Sequence, residues 1–172
     1  MELVLPMTRA ADDDEFERLM CAHERQVLGV ALRLTGNLAD AQDAAQEVFL
    51  RLHRSRSSLG EDVGGWLYRV TVNVCADFGR RRRVRTVVPL DRDVVSGEGS
   101  PEQVVSRKAE RERLDEALMQ LGDRERAALV LRDLEGLSTA EVAEVLGSAE
   151  ATVRVQISKA RVKLRELLRG LR

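Results

Sequence analysis

The last third of the chain carries the pattern of a helix-turn-helix, Ser138-Thr139-Ala140-Glu141-Val142-Ala143-Glu144-Val145-Leu146-Gly147, followed by a second helix expected over Ala151–Leu168. Ser138 can cap the first helix while Glu141 reaches back to its amide, which makes a capping box. Ala143 is small where two helices must cross closely, and Gly147 stands where the turn wants a residue free to take positive φ. Val153, Ile157, Ala160 and Leu164 recur at helical spacing, so the second helix has one apolar face to lay on the first. A unit of this kind presents one helix to a DNA major groove, whereas an ordinary helical hairpin within a core would need only the apolar face.

At about 100° per residue, Ala151, Thr152, Val155, Lys159 and Val162 point away from that stripe, with Arg154, Gln156, Ser158 and Lys163 on its flanks. Residues 148–172 hold seven Lys or Arg against two Glu, while the whole chain has a formal net charge of -1. Positive charge is therefore concentrated here rather than spread. Flanking cations suit phosphates, and Thr152, Val155, Gln156 and Lys159 are placed to meet base edges, with Val155 matching a thymine methyl.

A length of 172 residues allows one domain or two small ones, and abundant Ala, Leu, Val, Arg and Glu with few aromatics predicts an all-α protein. No apolar run reaches membrane-spanning length, and the start, Met1-Glu2-Leu3-Val4-Leu5-Pro6, lacks the basic and apolar regions of a signal peptide, so a cytosolic location is expected. Cys21 and Cys75 have no CxxC partner and read as reduced, mostly buried thiols; a redox role is the alternative. His23 and His53 are isolated, and neither a nucleophile paired with a base nor a Gly-rich phosphate loop is evident. No cofactor, metal site or catalysis is expected.

Along the chain, Asp12-Asp13-Asp14-Glu15 suits the N-terminus of a first helix whose apolar stripe is Phe16, Leu19, Met20, Val27, Ala31 and Leu34. Gly36-Asn37 breaks it, and Asn37 with Asp40 resembles an N-terminal cap. A second helix, Leu38–Arg54, should bury Ala41, Ala44, Ala45, Val48, Phe49 and Leu52, leaving Asp40, Asp43, Gln46, Glu47 and Arg51 as a polar ridge. A third helix, Trp66 to about Arg83, turns Trp66, Leu67, Val70, Val74 and Phe78 inward and Arg69, Asn73, Asp77 and Arg80 outward. It ends in the run Arg80-Arg81-Arg82-Arg83-Val84-Arg85, which repels itself and needs anions. Residues 86–101 lack helical period and read as a flexible or extended linker. Beyond it a charged helix continues to Leu121 and another covers Arg124–Asp133.

These pieces resemble a known family. Asp40-Ala41-Gln42-Asp43-Ala44-Ala45-Gln46-Glu47-Val48-Phe49-Leu50 resembles the core-polymerase-binding helix of sigma factors. Trp66-Leu67-Tyr68-Arg69-Val70-Thr71-Val72-Asn73 with the arginine run resembles their −10-binding helix, and Leu131 through Arg161 resembles their −35-binding domain. Two blocks with no other domain are similar to the extracytoplasmic-function group. The resemblance implies two small helical domains, residues 1–85 (region 2-like) and 109–172 (region 4-like), with 86–108 as linker. It implies core-polymerase contacts from Asp40, Asp43, Gln46, Glu47, Phe49, Leu50 and Arg51, made to a coiled coil of the largest subunit, and a further contact with the flap region. It implies −10 contacts from Arg69, Asn73, Asp77, Arg80, Arg81, Arg82 and Arg83, with the loop Leu59–Gly65 holding an extruded base. It implies −35 contacts from Arg132, Thr152, Arg154, Val155, Gln156, Ser158, Lys159 and Lys163. The partners implied are core RNA polymerase, promoter DNA and an anti-sigma factor, which could itself be membrane-bound and hold this chain at the membrane. The acidic linker resembles the family segment that threads toward the RNA exit channel.

One local departure concerns the start of the recognition helix. The family pattern has a capping Ser at Ala149 and Gly at Ala151, so either Ser148 caps from an altered turn or Glu150 compensates through the helix dipole. Two other classes share parts of the pattern: a regulator with a sensor domain before its helix-turn-helix, and an interaction protein using the same helices without reading DNA.

Overall fold

The computed structural model describes residues 7–55, 59, 62–84 and 101–170, with side chains described for 14–55, 59, 62–81 and 108–170. The described residues form α1 (Met7–Thr35), α2 (Leu38–Ser55), α3 (Val63–Val84), α4 (Pro101–Met119), α5 (Asp123–Leu129), one π turn (Val130–Leu134), α6 (Thr139–Leu146) and α7 (Glu150–Gly170). The protein is all-α among these residues, as its composition and periodicity predict.

The first three helices make one unit. α1 begins at Met7, earlier than expected, so Asp12–Glu15 lie past its first turn and do not cap it. Gly36 ends it at φ 78°, and Asn37 starts α2 with a reciprocal pair: its Oδ1 accepts from the Asp40 amide at 2.8 Å and its Nδ2 donates to Asp40 Oδ2 at 2.7 Å. All six residues expected to be buried in α2 are buried. α3 starts at Val63 rather than Trp66, because Asp62 Oδ1 accepts from the Gly65 amide at 2.9 Å and draws the chain into the helix early. Leu67 and Val74 are fully buried beside Val27, Ala31, Val48 and Leu52, while Trp66, Val70 and Phe78 close the edge of this core.

α4 opens with Pro101, whose fixed φ and missing N–H suit a first helical position. Residues 86–100 of the expected linker lie outside the described residues, and 101–108 form the first turns of α4. The single helix expected over Arg124–Asp133 is instead α5 followed by the π turn. There the Glu135 amide reaches back five residues to the Val130 carbonyl at 3.0 Å, an insertion that local periodicity does not register. Val142, Val145, Val153 and Ile157 then pack with Ala128 and Leu131.

The two units lie directly against each other. Val30 of α1 is buried with Leu118, Leu121, Leu129, Val130 and Ala160, and Tyr68 and Val72 of α3 pack on the core of α6 and α7. Gly36 meets α4 so closely that a Cβ there would lie 2.5 Å from Met119 Sδ. At the centre is Arg126, 7 % exposed. Its Nε donates to the Leu118 carbonyl at 2.9 Å, its Nη2 to Leu121 at 2.9 Å and Met119 at 3.4 Å, and its Nη1 crosses to the Leu34 carbonyl of α1 at 2.7 Å. Asp123 Oδ1 stands 3.5 Å from Nη2 and balances part of the charge. A guanidinium so enclosed satisfies the last carbonyls of two helices at once. Arg126→Ala should strip the Leu34, Met119 and Leu121 carbonyls of this donor and lower unfolding stability by about 3 kcal/mol. The expected readout is a lower urea midpoint with an unchanged slope.

Candidate nucleic-acid interface

The helix-turn-helix is built by local bonds. The Glu141 amide donates to Ser138 Oγ at 3.2 Å and the Ser138 amide donates to Glu141 Oε2 at 2.7 Å, which completes the capping box. The Ser138 side chain, then its backbone, hold the Glu141 carboxyl below the usual carboxylate range. Gly147 closes α6 at φ 58°, and the next amide, Ser148, returns to the Ala143 carbonyl at 2.9 Å. Ser148 does not cap α7: its hydroxyl accepts from Arg124 Nη1 at 3.2 Å and donates to the Leu146 carbonyl at 3.4 Å. The Ala149 carbonyl instead takes the Val153 amide at 3.1 Å, and Glu150 occupies the first turn. Of the two alternatives for this helix start, the geometry selects Glu150 and the dipole.

Val153, Ile157 and Ala160 are buried, so α7 is clamped by the face its periodicity predicts. Ala151, Thr152, Arg154, Val155, Ser158, Lys159 and Val162 are exposed, Val155 at 52 %. Among these Arg154 pairs with Glu150 at 2.7 Å, and the remaining expected contact residues lie in more enclosed or paired positions. Gln156 is half-buried and its Oε1 has no hydrogen-bond partner among the described residues. Lys163 Nζ lies 2.8 Å from Glu125 Oε2, and that contact pulls the Glu125 carboxyl below its ordinary range. Arg132 donates to the Leu137 carbonyl at 3.0 Å and so braces the turn into α6. Its flank also lines a basic cleft with Thr139, Arg154, Ser158, Arg161 and Arg165. Arg161 and Arg165 lie outside the expected contact set, although Arg154, Ser158, Arg161 and Arg165 follow helical spacing and form one row. Asp133 grips Arg161 with both oxygens, at 2.6 and 2.8 Å.

On the first unit, Asp43, Gln46, Glu47, Leu50 and Arg51 of α2 share a cleft with Val74, Asp77, Phe78 and Arg81 of α3. Glu47 Oε1 and Arg51 Nε lie 2.8 Å apart, and Leu50 is 46 % exposed. Phe49 departs from the expected docking set, because position 49 shares the inward face with 45, 48 and 52 and its ring is in the core. Asp40 is occupied by the cap with Asn37.

The α3 stripe is exposed at Arg69, Asn73 and Arg80, and Asp77 pairs with Arg80. Arg69 Nη2 lies 3.6 Å from Glu144 Oε1 of α6. The side chains of Arg82 and Arg83, and part of the loop Leu59–Gly65, lie outside the described residues. Cys75 is buried, which pushes its thiol up to about 12 with help from the Asp40 charge; Cys21 is exposed, contrary to the expectation of burial. The His53 ring meets Phe16 edge-on, and His23 Nδ1 lies 2.9 Å from Gln26 Oε1, so both histidines are engaged in local packing.

Residues 19–85 match the family model for sigma-70 region 2, and residues 111–164 match that for sigma-70 region 4. The ECF RNA polymerase sigma factor SigM of Mycobacterium tuberculosis is 37% identical over 161 residues, covering 92% of this chain and 80% of SigM. The chain belongs to the ECF RNA polymerase sigma factors. Membership makes this sigma factor a transcription initiation factor rather than an enzyme, and the region 2 match sets aside a sensor-domain regulator. SigW of Bacillus subtilis is 27% identical over 181 residues, covering 97% of this chain and 96% of SigW. In fold, it is similar to the sigma factor RpoE of Bartonella quintana, solved with the anti-sigma factor NepR, at a TM-score of 0.74 with 20% identity, covering 92% of this chain and 99% of RpoE.

Two checks follow from the geometry of the sigma factor's two units. Ser138→Ala removes the cap of α6 and should cost about 1 kcal/mol in thermal or urea unfolding. Iodoacetamide at pH 8 should add one group to the native protein, mapped by mass spectrometry to Cys21, and a second only after unfolding.

Proposed function

We propose that this sigma factor directs core RNA polymerase to promoters by reading the −35 element with α7 and the −10 element with α3. The observation that carries the reading is the division of α7 into a buried face, Val153, Ile157 and Ala160, and an exposed face, Thr152, Val155, Ser158 and Lys159. The buried face holds the helix at one angle, so the exposed side chains can reach base edges together while Arg154 and the cleft arginines sit on phosphates. Residues 1–85 form the polymerase and −10 module and 109–172 the −35 module, joined by 86–108, whose last residues belong to the start of α4.

Asp43, Gln46, Glu47, Leu50 and Arg51 dock on the coiled coil of the largest polymerase subunit. Charges around one exposed leucine suit steering and register more than raw affinity. On α3, Arg69, Asn73 and the arginines from Arg80 onward meet the −10 strand, with Asn73 offering paired amide hydrogen bonds to a base. The groove lined by Leu114, Leu118, Leu129, Leu134, Leu164 and Leu168 meets the polymerase flap region. Among the described residues no helix is long and apolar enough to cross a membrane, and the location proposed is the cytoplasm, where core RNA polymerase works. The NepR complex of the Bartonella relative supports control by an anti-sigma factor.

Run-off transcription with purified core polymerase tests the reading. Lys159→Ala or Val155→Ala should lower discrimination among −35 sequences by about tenfold, the size of one lost base contact. Asn73→Ala should relax −10 discrimination and leave −35 preference intact. Unchanged start-site choice in all three folded variants would refute it.

A further inference from the structure

Arg161 of α7 lies between two cavities. On one side is the basic cleft, where it joins Arg132, Thr139, Arg154, Ser158 and Arg165. On the other is the leucine groove, and Asp133 lines that groove but not the cleft. The carboxylate therefore approaches the guanidinium from behind, as viewed from the cleft. It takes one edge only: Oδ2 accepts from Nε at 2.8 Å and Oδ1 accepts from Nη2 at 2.6 Å. A guanidinium carries five N–H donors in a planar fork, so the edge formed by Nη1 and the second N–H of Nη2 stays open. Nη1 has no hydrogen-bond partner among the described residues, and the Arg161 side chain is 52% exposed.

The π turn fixes where that carboxylate sits. The Glu135 amide closes on the Val130 carbonyl at 3.0 Å and the Leu137 amide on the Leu131 carbonyl at 3.1 Å. Arg132 braces the same turn through the Leu137 carbonyl at 3.0 Å. One short element thus sends Arg132 into the cleft and sets Asp133 behind Arg161. Turns of this kind are rare and gather at functional sites. The other acids on α7 cations are placed differently. Glu150 meets Arg154 from one turn earlier on the same helix, and Glu125 meets Lys163, which does not line the cleft. We propose that Asp133 is a positioning residue for DNA binding: it fixes Arg161 with its open edge toward a phosphate of −35 DNA seated in the basic cleft. The inference deepens the promoter reading above and rests on it.

Two costs oppose an arginine at this place. Its long side chain loses rotamer freedom on meeting a phosphate, and the three other arginines of the cleft repel it. Asp133 meets both before DNA arrives. The two-oxygen grip removes the freedom in advance, and the negative charge offsets the crowding. A carboxylate that shielded Arg161 from DNA would have to cover the edge on the cleft side, whereas the covered edge is on the groove side. Phosphate contacts carry no sequence information, so Asp133 adds affinity and salt dependence without changing which −35 sequence is preferred.

The test titrates full-length protein assembled with core polymerase onto a promoter fragment and onto the same fragment with its −35 segment scrambled. Affinity is followed from about 50 to about 200 mM salt. Asp133→Asn should lower affinity about fivefold on both fragments, leave the ratio between them unchanged, and flatten the slope of log affinity against log salt by about 0.9. Arg161→Gln should lower affinity about tenfold with the same change of slope, and the double variant should bind as Arg161→Gln does. Helix content and the urea midpoint should stay near wild type, because the pair is partly exposed. Tighter binding with a steeper slope in Asp133→Asn would show the carboxylate competing with DNA and overturn the proposal. Unchanged binding would overturn it too, as would a lost preference between the fragments, the mark of a displaced recognition helix. Equal affinity of the wild-type assembly for both fragments would refute the promoter reading instead, and the salt slopes of the variants would still decide the role of Asp133.

Discussion

A guanidinium at the corner between α4 and α5 holds the rest of the arrangement in place. Burying Arg126 would be costly were any of its donors left idle, and the structure spends them on the carbonyl ends of α1 and α4 and on the turn after α4. Only the Leu118 carbonyl also takes a local amide, that of Leu121 at 3.1 Å, so the arginine and the helix ends relieve each other. Everything downstream inherits its position from this corner: α5 leads into the π turn, the π turn sets the approach to α6, and α6 with α5 supports α7. The recognition helix is thus referenced, through one side chain, to the first unit of the protein.

The charges divide by burial into distinct roles. Arg126 is structural, and Arg132 and Arg161 are half committed, bracing a turn and pairing with Asp133 while lining the basic cleft. Lys159 sits on the open face of α7. An open cation of this kind keeps the solvent access and the freedom that counterion release on a polyanion requires. A count of basic residues along α7 overstates its free charge, because Glu150, Asp133 and Glu125 already pair with Arg154, Arg161 and Lys163.

Much of the local architecture could be read directly from residue order. The capping box at Ser138, the left-handed Gly147, the Asn37 cap and the six buried positions of α2 each depend on neighbours within a few residues, where periodicity and cap chemistry operate. The failures share the opposite property. Arg126 meets a carbonyl 92 residues away, Glu135 meets groups 102 and 67 residues away, and the second unit covers Val30 fully and Tyr68 and Val72 in part. No window along the chain carries that information. At Phe49 a motif match and a packing face overlap at one position, and packing prevails. At the binding site the outward set on α7 was legible as a helical face, whereas the inward turn of Gln156 and the Glu125 partner of Lys163 were not.

Gly36 has a consequence beyond ending α1. A Cβ at this position would lie 2.5 Å from the Met119 sulfur, and that flexible side chain rather than any backbone would have to swing aside. The firmer constraint is the left-handed backbone, which strains any residue with a side chain whatever the space around it. Drift at this codon would therefore be felt as a tightened, costlier bend between α1 and α2, a loss of sturdiness that leaves the exposed faces of α3 and α7 untouched.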